Sequence, residues 1–300
     1  MGELVNVTHC LLCEGEKFAL FLEGKDRFSP ERTRYTILRC CRCGFCFTSP
    51  RPADSELMTY YPSSFTGWTK GCSGLARWLY PLYFRMTRSL PIQKDARILE
   101  IGYGNGLFLE WMSKRGMEPY GCDPRQPPTD LSPRIRFFQG ALEQARYPSE
   151  FFDAVVAWHV LEHVPNPLET FREIHRVLKQ DGQLLLSVPN IEGLEYRLFR
   201  GASPLYVPLH LYHFSSASLE KLLAKSDFRV EKITKDLLIP GPLVRSFFWF
   251  IEDHCPIRWS DAFLEKISYP ALPVSVLFNF LSHLAGQGST LVWRVKKRKP

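Results

Sequence analysis

The sequence has no uninterrupted run of about 18 apolar residues, the length that a membrane-spanning helix needs. Its two most apolar segments fall short of that length: residues 243–251 contain Arg245, and residues 271–284 contain Pro273 and several polar side chains. The N-terminus also lacks a basic stretch followed by an apolar one, which is the pattern of a secretory signal peptide. We therefore expect a cytoplasmic protein without a membrane-spanning helix.

A strong charge imbalance and the composition of a disordered chain are missing too. The net charge is +7 over 300 residues, and 45% of the residues are hydrophobic. These values are ordinary for globular proteins, and the length suits one large domain or two small ones. A folded core of normal size is therefore predicted.

Three glycines are concentrated in the segment 100–106, which reads Glu-Ile-Gly-Tyr-Gly-Asn-Gly. An apolar run precedes it at 97–99, and an amphipathic run follows it at 107–115, which predicts a strand, a tight turn and a helix. Asp123 ends the next apolar run. A glycine-rich turn after a strand, with an acid about 20 residues further on, is typical of sites for nucleoside-bearing cofactors.

The glycine spacing indicates which cofactor. Dinucleotide sites have the pattern G-x-G-x-x-G, whereas here the third glycine comes one residue early, at Gly106. Glu100, two residues before the first glycine, would repel a pyrophosphate but suits a cofactor that carries positive charge. S-adenosylmethionine (SAM) has a sulfonium and an ammonium group and no phosphate. The alternative is a plain tight turn in another α/β protein.

The pattern E-x-G-x-G-x-G resembles motif I of class I SAM-dependent methyltransferases, and residues 158–163 and 188–190 also match that family closely. The resemblance covers roughly residues 91–236 and the last strand. It implies an α/β fold: a doubly wound, seven-stranded Rossmann-like sheet whose last strand runs antiparallel beside the sixth. The segment that begins at Asn166-Pro167 predicts a helix ending at Asp181-Gly182, because asparagine and proline suit a helix start and glycine a helix end.

The resemblance also implies which residues bind the cofactor. Glu100 and the glycines would hold the methionine end, Asp123 the ribose hydroxyls, and the loop 141–143 the adenine. Residues 158–159 would lie beside the cofactor. The predicted cofactor-binding residues are Glu100, Gly102, Gly104, Gly106, Asp123, Ala141, Leu142, Glu143, Trp158 and His159.

Three side chains are candidates for a catalytic base, in the order His210, His159 and Tyr206. A histidine in a loop at the ligand-binding edge of the sheet has a suitable pKa for removing a proton, although a merely hydrogen-bonded loop histidine is an equal alternative. His159, Glu162 and His163 also match a zinc-protease pattern. We set that metal role aside, because no third ligand is evident, and expect Glu162 and His163 to cap and orient the following helix.

Four of the nine cysteines form two C-x2-C pairs, Cys10 with Cys13 and Cys40 with Cys43. Two such pairs can place four thiolates around a tetrahedral zinc ion, and a site with four cysteine ligands is structural. Cys46 could also pair with Cys43, but Gly44 favours Cys40 and Cys43, with Cys41 and Cys46 as bystanders. Free buried thiols are the alternative. The surrounding sequence resembles the N-terminal zinc-knuckle module of a bacterial methyltransferase group.

These patterns predict a linear division of the chain. Residues 1–62 would form the zinc-binding module, 63–90 a connecting helix or lid, and 91–300 the methyltransferase domain with a helical insertion at 238–287. The aromatic insertion could cap the pocket or lie on the inner membrane surface, which would make the protein peripheral to that membrane.

The predicted function is SAM-dependent methylation of a small-molecule, sugar or lipid-linked glycan acceptor, as O-methylation. The glycan acceptor follows from the bacterial group that the chain resembles. One alternative is a catalytically inactive SAM-binding protein whose zinc ribbon serves interactions. A nucleic-acid methyltransferase is a weaker alternative, because the sequence has no N-P-P-Y-type run for a flipped base.

Overall fold

The computed structural model describes residues 2–61, 81–85, 87, 93–234 and 241–298. Contacts between residues divide the chain into two compact units. The cysteine unit comprises Met1–Pro62, Pro189–Leu219 and Lys235–Leu291. The parallel-sheet unit comprises Ser63–Val188, Glu220–Thr234 and Val292–Pro300.

The elements of both units, in chain order, have the following bounds. The strands are β1 (Leu4–Val5), β2 (Phe18–Lys25), β3 (Arg34–Cys40), β4 (Cys46–Thr48), β5 (Arg51–Pro52), β6 (Arg97–Ile101), β7 (Glu118–Asp123), β8 (Arg136–Gln139), β9 (Phe152–Trp158), β10 (Leu178–Pro189), β11 (Tyr212–His213), β12 (Phe228–Thr234) and β13 (Thr290–Lys297). The α-helices are Leu107–Lys114, Leu142–Ala145, Pro167–Val177, Leu194–Phe199, Ser216–Lys225, Gly241–His254, Asp261–Ser268 and Leu272–Leu284, and two 3₁₀ turns are Leu57–Tyr60 and Arg200–Ala202.

Among the described residues, seven strands form one sheet in the order β12-β13-β10-β9-β6-β7-β8. The pairs from β10 to β8 are parallel, whereas β12 and β13 are antiparallel. The central strands are apolar on both faces, and Ile98 and Leu99 on β6 are both fully buried, as expected where helices cover a parallel sheet. The structure confirms the predicted α/β sheet and its antiparallel last strand.

One helix end in this unit differs from the prediction. The side chain of Asn166 caps the helix Pro167–Val177 as expected, accepting a hydrogen bond from the amide of Glu169 at 3.2 Å. The helix ends at Val177, however, four residues before the predicted stop at Asp181-Gly182, which lies within β10. Leu178 pairs with Phe152 of β9, so strand pairing overrides the local helical pattern.

A second sheet lies in the cysteine unit and has the order β11-β4-β3-β2, with antiparallel pairing throughout. Its edge strand, Tyr212–His213, comes from the middle of the chain and pairs with residues 46–47. The unit defined by contacts therefore includes segments that the linear division assigned to the methyltransferase domain. That linear division remains a prediction. The predicted connecting segment 63–90 falls outside the described residues, apart from 81–85 and 87, which are helical.

Three helices occupy the predicted insertion at 238–287: Gly241–His254, Asp261–Ser268 and Leu272–Leu284. Asp253 on the first of them accepts hydrogen bonds from Lys25 at 2.5 Å and Arg27 at 2.7 Å, which ties the helix to β2 and the loop after it. Within the described part of the chain, no single helix is long and apolar enough to cross a membrane. Asp261–Ser268 and Leu272–Leu284 meet the length and composition criteria together but are bent by 77°.

Candidate functional site

The glycine turn connects β6 to the helix Leu107–Lys114 and has a backbone that few side chains tolerate. Gly102, Gly104 and Gly106 have φ values of +67°, +55° and +68°. A Cβ atom on Gly102 would lie 2.5 Å from Cγ2 of Val160, and one on Gly106 would lie 2.4 Å from Cδ1 of Leu131. Both positions therefore require glycine on conformational and steric grounds.

Gly104 differs from the other two because a Cβ atom there would meet no protein atom within 4 Å. The backbone at the middle of the turn therefore borders open space, where a ligand can approach closely. Gly106 is the N-terminal cap of the following helix, and the side chain of Asn105 accepts a hydrogen bond from the amide of Leu107 at 3.1 Å. The turn thus combines an open concave backbone with a well-formed helix start.

Asp123 ends β7, next to β6 in the sheet, and its side chain is almost fully buried. One carboxylate oxygen accepts hydrogen bonds from the backbone amide and Nε of Arg125, both at 2.9 Å. The other accepts from Nη2 of Arg125 at 2.7 Å and lies 3.4 Å from the amide of Gly104. The acid expected to bind ribose is thus already engaged by Arg125, a residue that the sequence analysis did not single out.

Two further parts of the predicted site are Glu100 and the adenine loop, residues 141–143. Glu100 is buried on β6, directly before the turn. In the loop, the amide of Ala141 donates to Oε1 of Gln144 at 3.0 Å, and Leu142 is buried. Glu143 accepts a hydrogen bond from the hydroxyl of Thr170 at 2.7 Å. The backbone of this loop is joined to β7, because Gly140 donates to the carbonyl of residue 123 at 2.9 Å.

Trp158 ends β9 and His159 follows it with a positive φ of +54°. Its Nδ1 lies 3.2 Å from Oε1 of Glu162, and its Nε2 lies 3.4 Å from Oγ of Ser187. Glu162 is buried and engages His159 instead of capping the next helix, which begins at its own cap, Asn166. The expectation that Glu162 caps that helix was wrong, because the acid lies four residues before the cap and its side chain bonds to the imidazole.

All ten predicted cofactor-binding residues belong to the parallel-sheet unit. Strands β9, β6 and β7 are neighbours and parallel, so their carboxyl ends share one edge of the sheet. That edge is where open α/β sheets bind ligands. The glycine turn, Asp123 and His159 each follow or end one of these strands.

The other two base candidates belong to the cysteine unit. Tyr206 has a φ of +46° and stacks on Phe28 with ring centroids 5.7 Å apart. Its ring also packs edge-on against His210 at 5.2 Å, and burial raises the pKa of Tyr206. His210 is buried, and its carbonyl accepts a hydrogen bond from the hydroxyl of Thr48 at 2.7 Å. The sequence could not predict this aromatic packing.

The four paired cysteines come together in the cysteine unit. Sγ of Cys10 lies 3.5 Å from Sγ of Cys43, Sγ of Cys13 lies 3.5 Å from Sγ of Cys40, and all four sulfur atoms are within 4.8 Å of one another. A tetrahedron with zinc–sulfur bonds of about 2.3 Å has sulfur–sulfur edges of about 3.8 Å. The observed spacing therefore fits a tetrahedral zinc ion.

The backbone favours the thiolate at Cys40, whereas burial raises the pKa of Cys43 to about 11 and also raises that of Cys10. Burial opposes ionisation of Cys40, but hydrogen bonds from the amides of Cys43 and Arg42 outweigh it and lower its pKa to about 7. Gly44, with a φ of +79°, forms the turn after Cys43. Cys41 is exposed and Cys46 is buried, and neither belongs to the group of four sulfurs.

Comparison with known proteins gives a family match over half of the chain. The family model described as "Methyltransferase domain" matches residues 76–233. The ubiquinone biosynthesis O-methyltransferase of Aliivibrio fischeri (strain MJ11) is 29% identical over 103 residues, which are 31% of this chain and 44% of that protein. The protein of the same name from Dechloromonas aromatica (strain RCB) is 33% identical over 110 residues, 33% of this chain and 47% of that protein. Each match spans less than half of the relative's length.

Solved structures with a similar arrangement are more distant in sequence. The 1,6-didemethyltoxoflavin-N1-methyltransferase of Burkholderia thailandensis is 16% identical with a TM-score of 0.49, covering 86% of this chain and 98% of that chain. A putative S-adenosylmethionine dependent methyltransferase from Listeria monocytogenes is 13% identical with a TM-score of 0.47, covering 76% of this chain and all of that chain.

Proposed function

We propose, since the chain belongs to the methyltransferase domain family, that it transfers a methyl group from SAM to a hydroxyl group of a small molecule. The observation that carries this proposal is the glycine turn, with open space at Gly104 and Asp123 at the end of the neighbouring strand. The oxygen acceptor is supported by relatives named ubiquinone biosynthesis O-methyltransferase.

The residues at the turn fit a cationic cofactor. Two buried acidic side chains, Glu100 and Asp123, lie on adjacent strands at the turn. Carboxylates at short range favour a sulfonium and an ammonium group and disfavour a pyrophosphate, although Arg125 neutralises part of the charge of Asp123. A Cβ atom on Gly104 would fill space that the turn leaves open. The donor set and the space therefore agree with SAM.

When bound, SAM supplies an activated methyl group, so the protein mainly has to position the reactants. Proximity and orientation of this kind can supply about 7–11 kcal/mol. In our proposal Glu100 and the glycines bind the methionine end, Asp123 the ribose, and residues 141–143 the adenine. Residues 158–159 form the wall beside them.

A base would add about 10²–10⁴-fold if the acceptor must lose a proton. His159 lies in the same unit as the glycine turn, and donation from its Nδ1 to Glu162 would leave Nε2 as the proton acceptor. His210 and Tyr206 remain candidates from the sequence. Replacing His210 with asparagine should lower kcat without raising the dissociation constant for SAM, if His210 is the base. The same replacement at His159 should lower kcat and also raise that dissociation constant, because His159 is placed beside the cofactor.

Turnover tests the proposed function. Purified protein is incubated with SAM and a cell extract as the source of acceptors, and S-adenosylhomocysteine and methylated products are measured by mass spectrometry. We expect turnover, and we expect Asp123→Ala to weaken SAM binding strongly in calorimetry. SAM binding without any turnover would favour the catalytically inactive alternative. Methylated nucleic acid as the product would favour the alternative of a nucleic-acid methyltransferase.

The acceptor class that we propose is a small hydroxylated molecule, including sugars and lipid-linked glycans. The glycan part rests on the resemblance of the cysteine segment to a bacterial methyltransferase group, not on any contact in the structure. Separating extract into lipid and aqueous fractions before the assay distinguishes these acceptors.

We further propose that Cys10, Cys13, Cys40 and Cys43 hold a structural zinc ion. The spacing of the four sulfurs and the amide hydrogen bonds to Cys40 support it. Elemental analysis should find about one zinc per chain, and Cys13→Ser should lose it, because three cysteines bind zinc less tightly. Cys41→Ser is the control and should keep the metal, since Cys41 lies outside the cluster.

The helix Leu272–Leu284 supports a contact with a membrane surface, because its polar side chains are buried and its apolar side chains are exposed. It has no Asp, Glu, Lys or Arg and one histidine, His283, and its buried side chains are the polar Ser275, Asn279 and Ser282. Its most exposed side chains are apolar: Val274, Leu277, Leu281 and Leu284 are each more than half exposed. A helix that turns its apolar face outward suits a lipid environment.

Vesicle binding tests this contact. The protein should co-sediment with vesicles of phosphatidylethanolamine and phosphatidylglycerol, and the double substitution Leu277→Glu and Leu281→Glu should abolish co-sedimentation. Leu20→Glu is a matched control, since Leu20 on β2 is 63% exposed and lies outside the helix. A protein that stays in the supernatant at low salt would contradict the membrane contact.

A further inference from the structure

The cysteine unit contains a cavity of about 310 Å³ that the proposed function does not use. Three of its apolar lining residues are buried, whereas two of its three arginines are exposed to solvent. The lining residues are Phe21, Leu22, Arg39, Ile191, Glu192, Tyr196, Arg197 and Arg200. An apolar floor with a few charged groups around it is typical of small-molecule sites.

A β-bulge shapes one wall of the cavity. The pairing of β2 with β3 shifts register between Leu20 and Leu22, so Phe21 is the extra residue. Consecutive side chains of a regular strand point to opposite faces, but Phe21 and Leu22 both line the cavity. The bulge therefore brings an aromatic ring to this site.

Arg39 on β3 is held against that ring. Its guanidinium carbon lies 3.9 Å from the ring centroid of Phe21, which is a cation–π contact. Nη2 of Arg39 lies 3.5 Å from a carboxylate oxygen of Glu192, a long and half-exposed contact that neutralises little of the charge. Arg39 is thus fixed in orientation and still attracts an anion.

Arg197 and Arg200 supply the other two positive charges. Nε of Arg197 donates to the carbonyl of Glu192 at 3.1 Å, and a guanidinium has further N–H groups to offer. Arg200 has φ +47° and ψ −120°, a backbone conformation that residues with a side chain rarely adopt. Strain of this kind persists where the surrounding structure imposes it, often at ligand sites. Three cations and one carboxylate line the cavity.

We infer that this cavity binds a phosphorylated small molecule, with the phosphoryl group on the three arginines and the organic part against Phe21, Leu22 and Tyr196. Guanidinium groups match phosphoryl oxygens in geometry and charge. The volume is at the lower end of the range for ligand pockets, about 300–1,000 Å³, which suits a sugar phosphate or the head of a prenyl phosphate.

Calorimetry without SAM tests the inference, so its failure is distinguishable from failure of the proposed methyl transfer. The probes are inorganic pyrophosphate, glucose 1-phosphate and farnesyl phosphate. Pyrophosphate should bind, and Arg197→Ala and Arg200→Ala should each weaken it by about tenfold, because each removes a charge-assisted contact. Arg34→Ala is the matched control and should leave affinity unchanged, since Arg34 is exposed, as Arg197 and Arg200 are, but does not line the cavity.

Phe21→Ala separates the two parts of the ligand. It should weaken the organic phosphates more than pyrophosphate, because the ring would contact the organic part directly but would affect the phosphoryl group only through the orientation of Arg39. Tighter binding of farnesyl phosphate would identify a lipid-derived ligand, and tighter binding of glucose 1-phosphate a soluble sugar phosphate; either outcome supports the site. No binding of any probe, or an equal loss in Arg34→Ala, would overturn the inference.

Discussion

Asp123 is a buried acid that Arg125 engages before any ligand binds. The amide and side chain of Arg125 donate three hydrogen bonds to its two carboxylate oxygens. Ribose hydroxyls that bind Asp123 must compete with this contact. The guanidinium also adds positive charge beside a site that we assign to a cationic cofactor.

Arg125→Ala should therefore tighten SAM binding. The substitution frees carboxylate lone pairs while the amide hydrogen bond at 2.9 Å remains. Arg125 is about one-third exposed and Asp123 is buried, so solvent screens this ion pair in part; at about 1 kcal/mol for the pair, the dissociation constant should fall by about two- to fivefold. Calorimetry measures it, with Arg134→Ala as the control that removes an exposed charge from the same unit. Weaker binding by Arg125→Ala would mean that Arg125 itself contacts the cofactor.

Glu195 in the cysteine unit is another buried acid, and its contribution to the free energy of unfolding depends on pH. Burial raises its pKa from 4.5 to about 7, although a hydrogen bond of 2.5 Å from the hydroxyl of Ser246 acts in the opposite direction. Between these two pKa values the folded protein therefore keeps a proton on Glu195 that the unfolded chain has lost. The resulting stability is complete below the unfolded pKa and disappears as the pH rises through 7.

Glu195→Gln should remove this dependence, because glutamine resembles the protonated acid at every pH. Relative to the wild type, the variant should gain about 3 kcal/mol in unfolding free energy as the pH rises from about 4.5 to 8. Urea denaturation across that range measures the difference. A constant difference between the two proteins would show that Glu195 titrates alike in the folded and unfolded states.

The glycine turn shows at the scale of elements how one short segment meets two demands. Gly102 has to avoid Val160, and Gly104 has to leave room for a ligand. Both have a positive φ, which costs about 1–2 kcal/mol for a residue with a side chain. The two glycines are therefore needed for different reasons, stability at one and binding at the other.

Gly102→Ala should destabilise the fold by about 2–4 kcal/mol, since the clash adds to the backbone strain. Gly104→Ala should cost only the backbone term but should weaken SAM binding. Gly286→Ala is the matched control, because Gly286 has a φ of +70°, has no atom near its Cβ position and lies in the other unit. Thermal unfolding and calorimetry compare the three variants. Equal SAM affinity of Gly104→Ala and the wild type would contradict the assigned site.

The cysteine unit is built from three segments that are distant in the sequence. The knuckles at residues 10–13 and 40–43 flank the sheet, and β4 lies directly after the second knuckle. β4 pairs with β3 on one side and on the other with β11, which lies more than 160 residues further along the chain. A metal bound near the N-terminus would therefore stabilise residues 212–213.

Removal of zinc with a chelator should increase hydrogen exchange at the amides of Tyr212 and His213. The cause is loss of the knuckle that holds β4 beside β11, because structural zinc contributes directly to folding. The amides of Val155 and Val156 on β9 serve as the control, since they belong to the other unit. Exchange at 212–213 that the chelator leaves unchanged would argue against a structural metal.

Local sequence patterns predict the strand–turn–helix at residues 97–114, the later strands of the seven-stranded sheet and the two cysteine knuckles, but not the helices Leu194–Phe199 and Ser216–Lys225. These features are local, because glycine conformation, hydrophobic periodicity and C-x2-C spacing involve chain neighbours. Only the folded structure reveals the pairing of β11 with β4, the arginine cavity and the outward apolar face of the helix Leu272–Leu284. Each of these depends on contacts between segments far apart in the sequence, which no local pattern encodes.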